Sequence, residues 1–368
     1  MNDYDYLNAR VRGMSTALLA REFFDQVLSA YTDTMLMDAL LGSAYSADLQ
    51  RARELHAEEP VARAVEAAVW ANAAAAFARL LSAAPPGPRR IIALQLNRWD
   101  VANVTTLVRA RQAGAQPHET AAALLPVGEL TAEQLGQLAA EQSLEDLTEA
   151  LASWKQPLCI ELRRALNERL RQQPSAPARV LERVLYDAYF SWALGQLREH
   201  DPQERLVRAS IRQHVDQLNL LAVLTSIRSR GSGSDSAGSS SGSSAGSHAA
   251  PQMLPRGMLD EKVLAEIAAC KTLEDAFEAL ADTYLGTGVE KGILTYGQSQ
   301  SLGEMQRFLE AVAVEHACRL FRQDLLGAAV PLGFLWRKYS ECVNLRLLAR
   351  GAIFGMPPDA VRRELLLV

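Results

Sequence analysis

Aromatic side chains are scarce. Phe, Trp and Tyr make up 6% of the 368 residues, although 49% are hydrophobic. Alanine and leucine therefore carry most of the apolar content, which favours close helix packing over sheets. Cysteine is nearly absent. Cys159, Cys270, Cys318 and Cys342 lie far apart with no CxxC pair. That argues against a disulfide framework or a zinc ribbon and reads as reduced core thiols of a cytoplasmic protein. There is no Walker A motif, no glycine-rich dinucleotide fingerprint and no HExxH. The six histidines are scattered, and His214, two residues before Asp216, reads as a polar or hydrogen-bonded side chain, not a catalytic base. Positive charge is not in excess. A net charge of -5 argues against a nucleic-acid binder held by phosphate contacts. The acidic, polar N-terminus is not expected to be a signal peptide. No apolar run approaches the roughly 20 residues of a membrane helix, so a membrane role is expected to be peripheral. Alternating polarity is missing, so no strands are expected.

What is present is a pattern used three times. Asp100-Val-Ala-Asn103, with Leu107 and a closing Gly114, returns as Asp216, Asn219, Val223 and Gly231. It returns again as Glu341, Asn344, Leu348 and Gly355. Spacings of three and seven put carboxylate, amide and aliphatic group on one helical face. Asp and Asn are poor helix-interior residues because they compete for backbone hydrogen bonds. Three copies, each ending in basic residues and a glycine suited to a left-handed cap, imply a structural repeat.

The chain in order supports this. Residues 4–30 read as one helix, and 33–42 and 47–57 as two short ones, the second capped by Ser46. An Ala-rich helix spans about 61–84 and stops at Pro85-Pro86-Gly87-Pro88; the first repeat helix then runs from about 89 to 112. Thr131-Ala-Glu-Gln134 is a capping box and Ser143-Leu-Glu-Asp146 a looser one, opening two short helices. Residues 128–151 match 257–280 without a gap at eleven positions, among them Gly128 and Gly257. The repeat helices lie only 116 residues apart, so thirteen extra residues fall in the Gly/Ser tract after Gly231. That tract reads as a flexible loop.

Long helices at about 61–84, 178–198 and 303–323 each precede a repeat helix. The module is thus long helix, repeat helix, short helix, short helix. The expected division is N-terminal helices at 1–58 and helical lobes at 59–155, 176–285 (with a loop at 231–250) and 300–368. The short pair at 33–57 is expected to complete the last module, closing three lobes into a ring.

Asp100, Asp216 and Glu341 read as carboxylates that bond within their own lobes and fix helix register. Arg109, Arg111, Arg228, Arg230 and Arg350 end the repeat helices. Either they compensate the helix dipole and face water, or they ring one mouth of the assembly and receive an acidic partner. No catalytic, cofactor or metal residue is expected.

Tyr4-x-Tyr6-x-Asn8-Ala-Arg10-Val-Arg12-x-Met14, taken with the repeated D-x-x-N-x3-L helix, resembles the C subunits of the V/A-type rotary ATPases, known in eukaryotes as the d subunits. The resemblance covers nearly the whole chain; Glu341 in place of Asp and the Gly/Ser tract depart from the usual pattern. It implies an all-α funnel of three similar lobes with pseudo-threefold symmetry and a central cavity. It also implies a non-catalytic rotor component on the cytoplasmic face of the membrane, a socket between a shaft made of the D and F subunits and the proteolipid ring. No cofactor, nucleic acid or small-molecule substrate is expected. The other reading of the residues is a helical-repeat scaffold for soluble proteins, although an open solenoid should carry distinct capping repeats.

Overall fold

The computed structural model describes residues 3–232, 252–286, 309–315, 318 and 326–366, with the side chains of 231 and 232 left aside. Every regular element among them is a helix. In order these are α1 (Asp5–Ser15), α2 (Arg21–Ser29), α3 (Asp33–Leu41), α4 (Ser46–Leu55), α5 (Val61–Ala83), α6 (Pro86–Ala113), α7 (Pro117–Ala123) and α8 (Ala132–Ala140). There follow α9 (Leu144–Ala152), α10 (Pro157–Gln172), α11 (Ala178–Gly195), α12 (Pro202–Ser232), α13 (Glu261–Ala269) and α14 (Leu273–Ala281). After a helical stretch at 309–315 come α15 (Ala329–Ile353) and α16 (Pro358–Glu364). The chain divides into two compact units, residues 1–207 with 314–368, and residues 208–313.

Several expectations need correction. Residues 4–30 form two helices. The break at 16–20 is enforced because the Leu19 N–H donates to the Glu341 carboxylate, so it is not spent on an i−4 carbonyl. Ser46 is the first residue of α4 and not its cap; Tyr45 holds that place without a side-chain capping bond. The proline run does not separate α5 from a helix starting at 89. Pro86 opens α6, where proline's fixed φ suits the first turn. Helices α7 and α10 are additional to the expected module. Gly114 and Gly355 do take left-handed φ values of 68° and 62°, but Gly231 lies inside α12. The Gly/Ser tract and most of the helix expected at 303–323 fall outside the described residues.

In the first unit α11 packs between α6 and α10, and α5 packs between α4 and α15. Of the two long helices described, α11 thus lies against the repeat helix before it, α6, as well as against α10, and α5 lies chiefly against the last repeat helix, α15. Helix α5 is long and apolar enough to cross a bilayer by length and composition, contrary to expectation. Its partners explain that character: Val65, Val69, Ala73, Phe77 and Leu80 are buried, and Glu66 pairs with Arg350. In the second unit, Leu220, Val223, Leu224 and Ile227 of α12 cluster with Leu264 and Ile267 of α13 and Phe277 and Leu280 of α14. Burying a leucine or phenylalanine in this way contributes about 1.5–3 kcal/mol.

The short-helix pair is also used three times. Helices α8, α13 and α2 each have nine residues and begin two residues after Leu130, Leu259 and Leu19. Helices α9, α14 and α3 also have nine residues. Their caps Ser143, Thr272 and Thr32 each accept a hydrogen bond from the backbone N–H three residues on. Helices α2 and α3 thus share the lengths and starts of the other two short pairs, a pattern expected instead for the helices at 33–57.

Candidate functional site

The three carboxylate–amide helices hold irregular chain segments by the same hydrogen bonds. Asn103 donates its amide to the Leu125 carbonyl at 2.7 Å and accepts from the Leu125 N–H at 2.8 Å. Asn219 does the same with Leu254, at 2.9 and 2.7 Å, and Asn344 with Leu366, at 3.0 and 2.8 Å. The partner is 22 residues ahead in the first and third copies and 35 in the second, thirteen more. All three amides are buried. Their partners lie outside helices, where buried N–H and C=O groups need side-chain partners.

One turn earlier sits the carboxylate. Asp100, 1% exposed, accepts from the N–H groups of Glu129 at 2.8 Å and Leu130 at 3.1 Å, and from the Asn97 amide at 3.1 Å. Asp216 accepts from the N–H groups of Met258 at 2.8 Å and Leu259 at 3.1 Å, and from the Tyr284 hydroxyl at 2.9 Å. A side chain at Gly128 or Gly257 would overlap the Asp100 or Asp216 carboxylate, which explains why both matched positions are glycine. Burial pushes the Asp100 carboxyl up to about 6 despite its N–H donors. Burial also raises that of Asp216, opposed by the Tyr284 hydroxyl, the two N–H groups and the nearby Arg212.

The third copy is assembled from distant chain. Glu341 accepts from the Leu19 N–H at 2.5 Å and the Tyr45 hydroxyl at 2.5 Å, and pairs with Lys338 at 2.7 Å. The extra methylene of Glu goes with donors that come from another part of the chain. Lys338 also donates to the Tyr45 hydroxyl at 2.8 Å, and its ammonium lies 4.3 Å from the Tyr45 ring centroid.

The five arginines are placed as follows. Arg109 of α6 makes a two-point bond to Glu182 of α11, at 3.0 and 2.8 Å, and Arg350 of α15 bonds Glu66 of α5 at 2.5 Å. Both lie nine residues after the carboxylate of their helix. Arg111 donates to the Ala139 carbonyl at 2.9 Å, and Arg230 to that of Ala268 at 2.8 Å, so each satisfies the end of a short helix. Arg228 is exposed and has no side-chain partner among the described residues. One buried pair was not legible: Glu204, 2% exposed, bonds Arg90 and the Arg198 N–H. Among the described residues no group of three or more His, Cys, Asp and Glu is placed to hold a metal ion.

Fold and site together define an all-helical repeat protein in which a carboxylate and an amide on each repeat helix fasten the chain to itself. Residues 7–364 match the family model described as ATP synthase (C/AC39) subunit. The chain belongs to that family, and so to a membrane-associated rotary ATP synthase complex. It is 22% identical to the C subunit of the A-type ATP synthase of Methanocaldococcus jannaschii, over 99% of this chain and 86% of that one. It is 24% identical to the C subunit of the V-type ATP synthase of Deinococcus radiodurans, over 99% and 91%. It is 22% identical to the C subunit of the A-type ATP synthase of Methanosarcina barkeri, over 100% and 94%.

Proposed function

We propose that the chain is a non-catalytic central-stalk component. In this reading it is a socket on the cytoplasmic face of the membrane that receives the shaft made of the D and F subunits, seats on the proteolipid ring and passes torque between them. Three lobes built on α6, α12 and α15, with residues 1–58 completing the last, would surround a central cavity in pseudo-threefold fashion. The observation that carries the reading is the pair of equivalent ion pairs. Arg109 of one repeat helix holds Glu182 of the next long helix, and Arg350 of the last repeat helix holds Glu66 of the first. Order in the chain thus returns to its start, as a closed socket needs. Rigid helices fastened by buried polar bonds suit a part that transmits load and binds no substrate.

The test is reconstitution. Removing the chain from the complex should leave ATP hydrolysis by the soluble motor intact while ion pumping is lost, and the purified chain should bind the isolated D–F shaft and the ring. Failure to bind either would replace the socket by a scaffold for other soluble proteins.

A further inference from the structure

The three fastenings differ in one respect. In the first two, the backbone that docks on the carboxylate follows the repeat helix within the same stretch of chain. In the third, the Leu19 N–H arrives from 322 residues away. Residues 16–45 run across α15 from there. The Tyr31 hydroxyl donates to the Leu348 carbonyl at 2.7 Å, in space left free by Gly351, where a Cβ would meet that hydroxyl. Asp25 bonds Arg362 of α16. Tyr45 ends the stretch over Glu341 and Lys338.

The polar groups beneath this stretch are self-sufficient. Lys338 and Glu341 are three apart on one helix and stay paired to each other if Tyr45 and Leu19 leave. Water would replace the lost donors, so undocking strands no lone buried charge. Asp100 has no such cation; its neighbours are the Asn97 amide, Glu129, Cys159 and Tyr189. Buried ion pairs are better suited to specifying a docking register than to adding stability. The linker at 16–20, between α1 and α2, is non-helical and makes a hinge; α1 stays anchored, with the Asn8 amide on the Gly327 carbonyl at 3.2 Å.

We propose that residues 16–45 form a strap over α15 that opens and recloses locally while the rest of the fold stays intact. Opening lifts Tyr45 from the buried face of α15 and uncovers Cys342, which is 0% exposed and sits between Tyr45 and the Val69 carbonyl. Cys159 supplies the matched control. It is 1% exposed and lies near Asp100 and Glu129, within the first fastening, where the docked loop is part of the same stretch of chain.

The experiment is thiol labelling of the full chain with a maleimide under native conditions, each cysteine quantified by peptide mass spectrometry. Local opening predicts that Cys342 reacts roughly tenfold or more faster than Cys159, with little acceleration by low urea. Tyr45→Phe, which removes the hydroxyl's bonds to Glu341 and Lys338, should speed Cys342 by about a further tenfold and leave the Cys159 rate unchanged. Equal rates with the same urea dependence, or Cys159 reacting first, would overturn the strap. The wild-type comparison decides even if the variant does not fold.

Discussion

Gly128 lies against the carboxylate of Asp100 so closely that a methyl group there would overlap both oxygens. The approach lets the N–H groups of the next two residues, Glu129 and Leu130, reach that carboxylate. Gly257 stands in the same relation to Asp216. Gly128→Ala and Gly257→Ala should each cost about 1–3 kcal/mol, as overpacking does. Gly136→Ala is the control of opposite sign: its Cβ would meet nothing within 4 Å, and at this exposed position in the middle of α8 alanine should add about 0.5–1 kcal/mol. Urea unfolding midpoints of the three variants check both signs.

Asn103→Leu, Asn219→Leu and Asn344→Leu each strand one backbone N–H and one carbonyl, at Leu125, Leu254 and Leu366. Each variant should lose on the order of 1–3 kcal/mol. Thermal melts decide: three wild-type melting curves would mean that these two-point bonds add nothing to stability.

Acidity should act through Asp100. Burial lifts its carboxyl from an ordinary 3.8 to about 6, so the folded chain holds this proton more tightly than the unfolded chain. The resulting stability is complete below pH about 4 and lost as pH rises through 6, up to about 3 kcal/mol. Asp100→Asn carries no such titration. The stability of wild type minus that of the variant should therefore fall between pH 4 and pH 7. A flat difference in denaturant unfolding across that range would show that the N–H donors outweigh burial.

How much of this is readable in the sequence depends on the kind of group involved. Asp100 and Asn103 stand out because they break helix propensity, and only tertiary bonds explain such a break. Thr131 and Ser143 are readable because a capping bond is local. The partner of Glu341 is not, since a backbone N–H leaves no mark on the sequence, and Leu19 looks like any leucine in a helical run. Helix α2 escapes as a separate element for the same reason, and with it the pairing to α3, although Thr32 with Leu36, Ala39 and Leu40 sits in register with Ser143, Leu147, Ala150 and Leu151. Arg109 and Arg350 are visible, but their partners Glu182 and Glu66 come from other helices, which spacing along one helix cannot reveal.

The second fastening tolerates thirteen more residues than the other two between its amide and its partner. Deleting thirteen residues from the Gly/Ser tract, such as 234–246, would restore the 22-residue separation. Loop closure depends only weakly on length, so melting temperature and co-purification with the complex should be nearly unchanged. Loss of soluble protein would give the tract a structural role.

Arg228 offers the cleanest test of charge at a partner interface. Reversing Arg109 or Arg350 would place like charges against Glu182 or Glu66, whereas Arg228→Glu disturbs no described bond. If this arginine meets an acidic shaft surface, binding to purified D–F should weaken most at low salt, with a shallower salt dependence. Unchanged affinity and slope would remove Arg228 from the interface without touching the socket reading.

Because Leu19 and Tyr45 wait for Glu341, the order of synthesis matters. At about 5–20 residues per second the ribosome needs roughly 15–60 s to travel from one to the other. During that interval Phe24, Leu36, Leu40 and Tyr45, all buried in the finished fold, have no α15 to cover them. The helices on α6 and α11 can already pack as they emerge. The earliest part of the chain is therefore among the last to find its place, and a nascent chain paused before residue 329 is the form most in need of a chaperone.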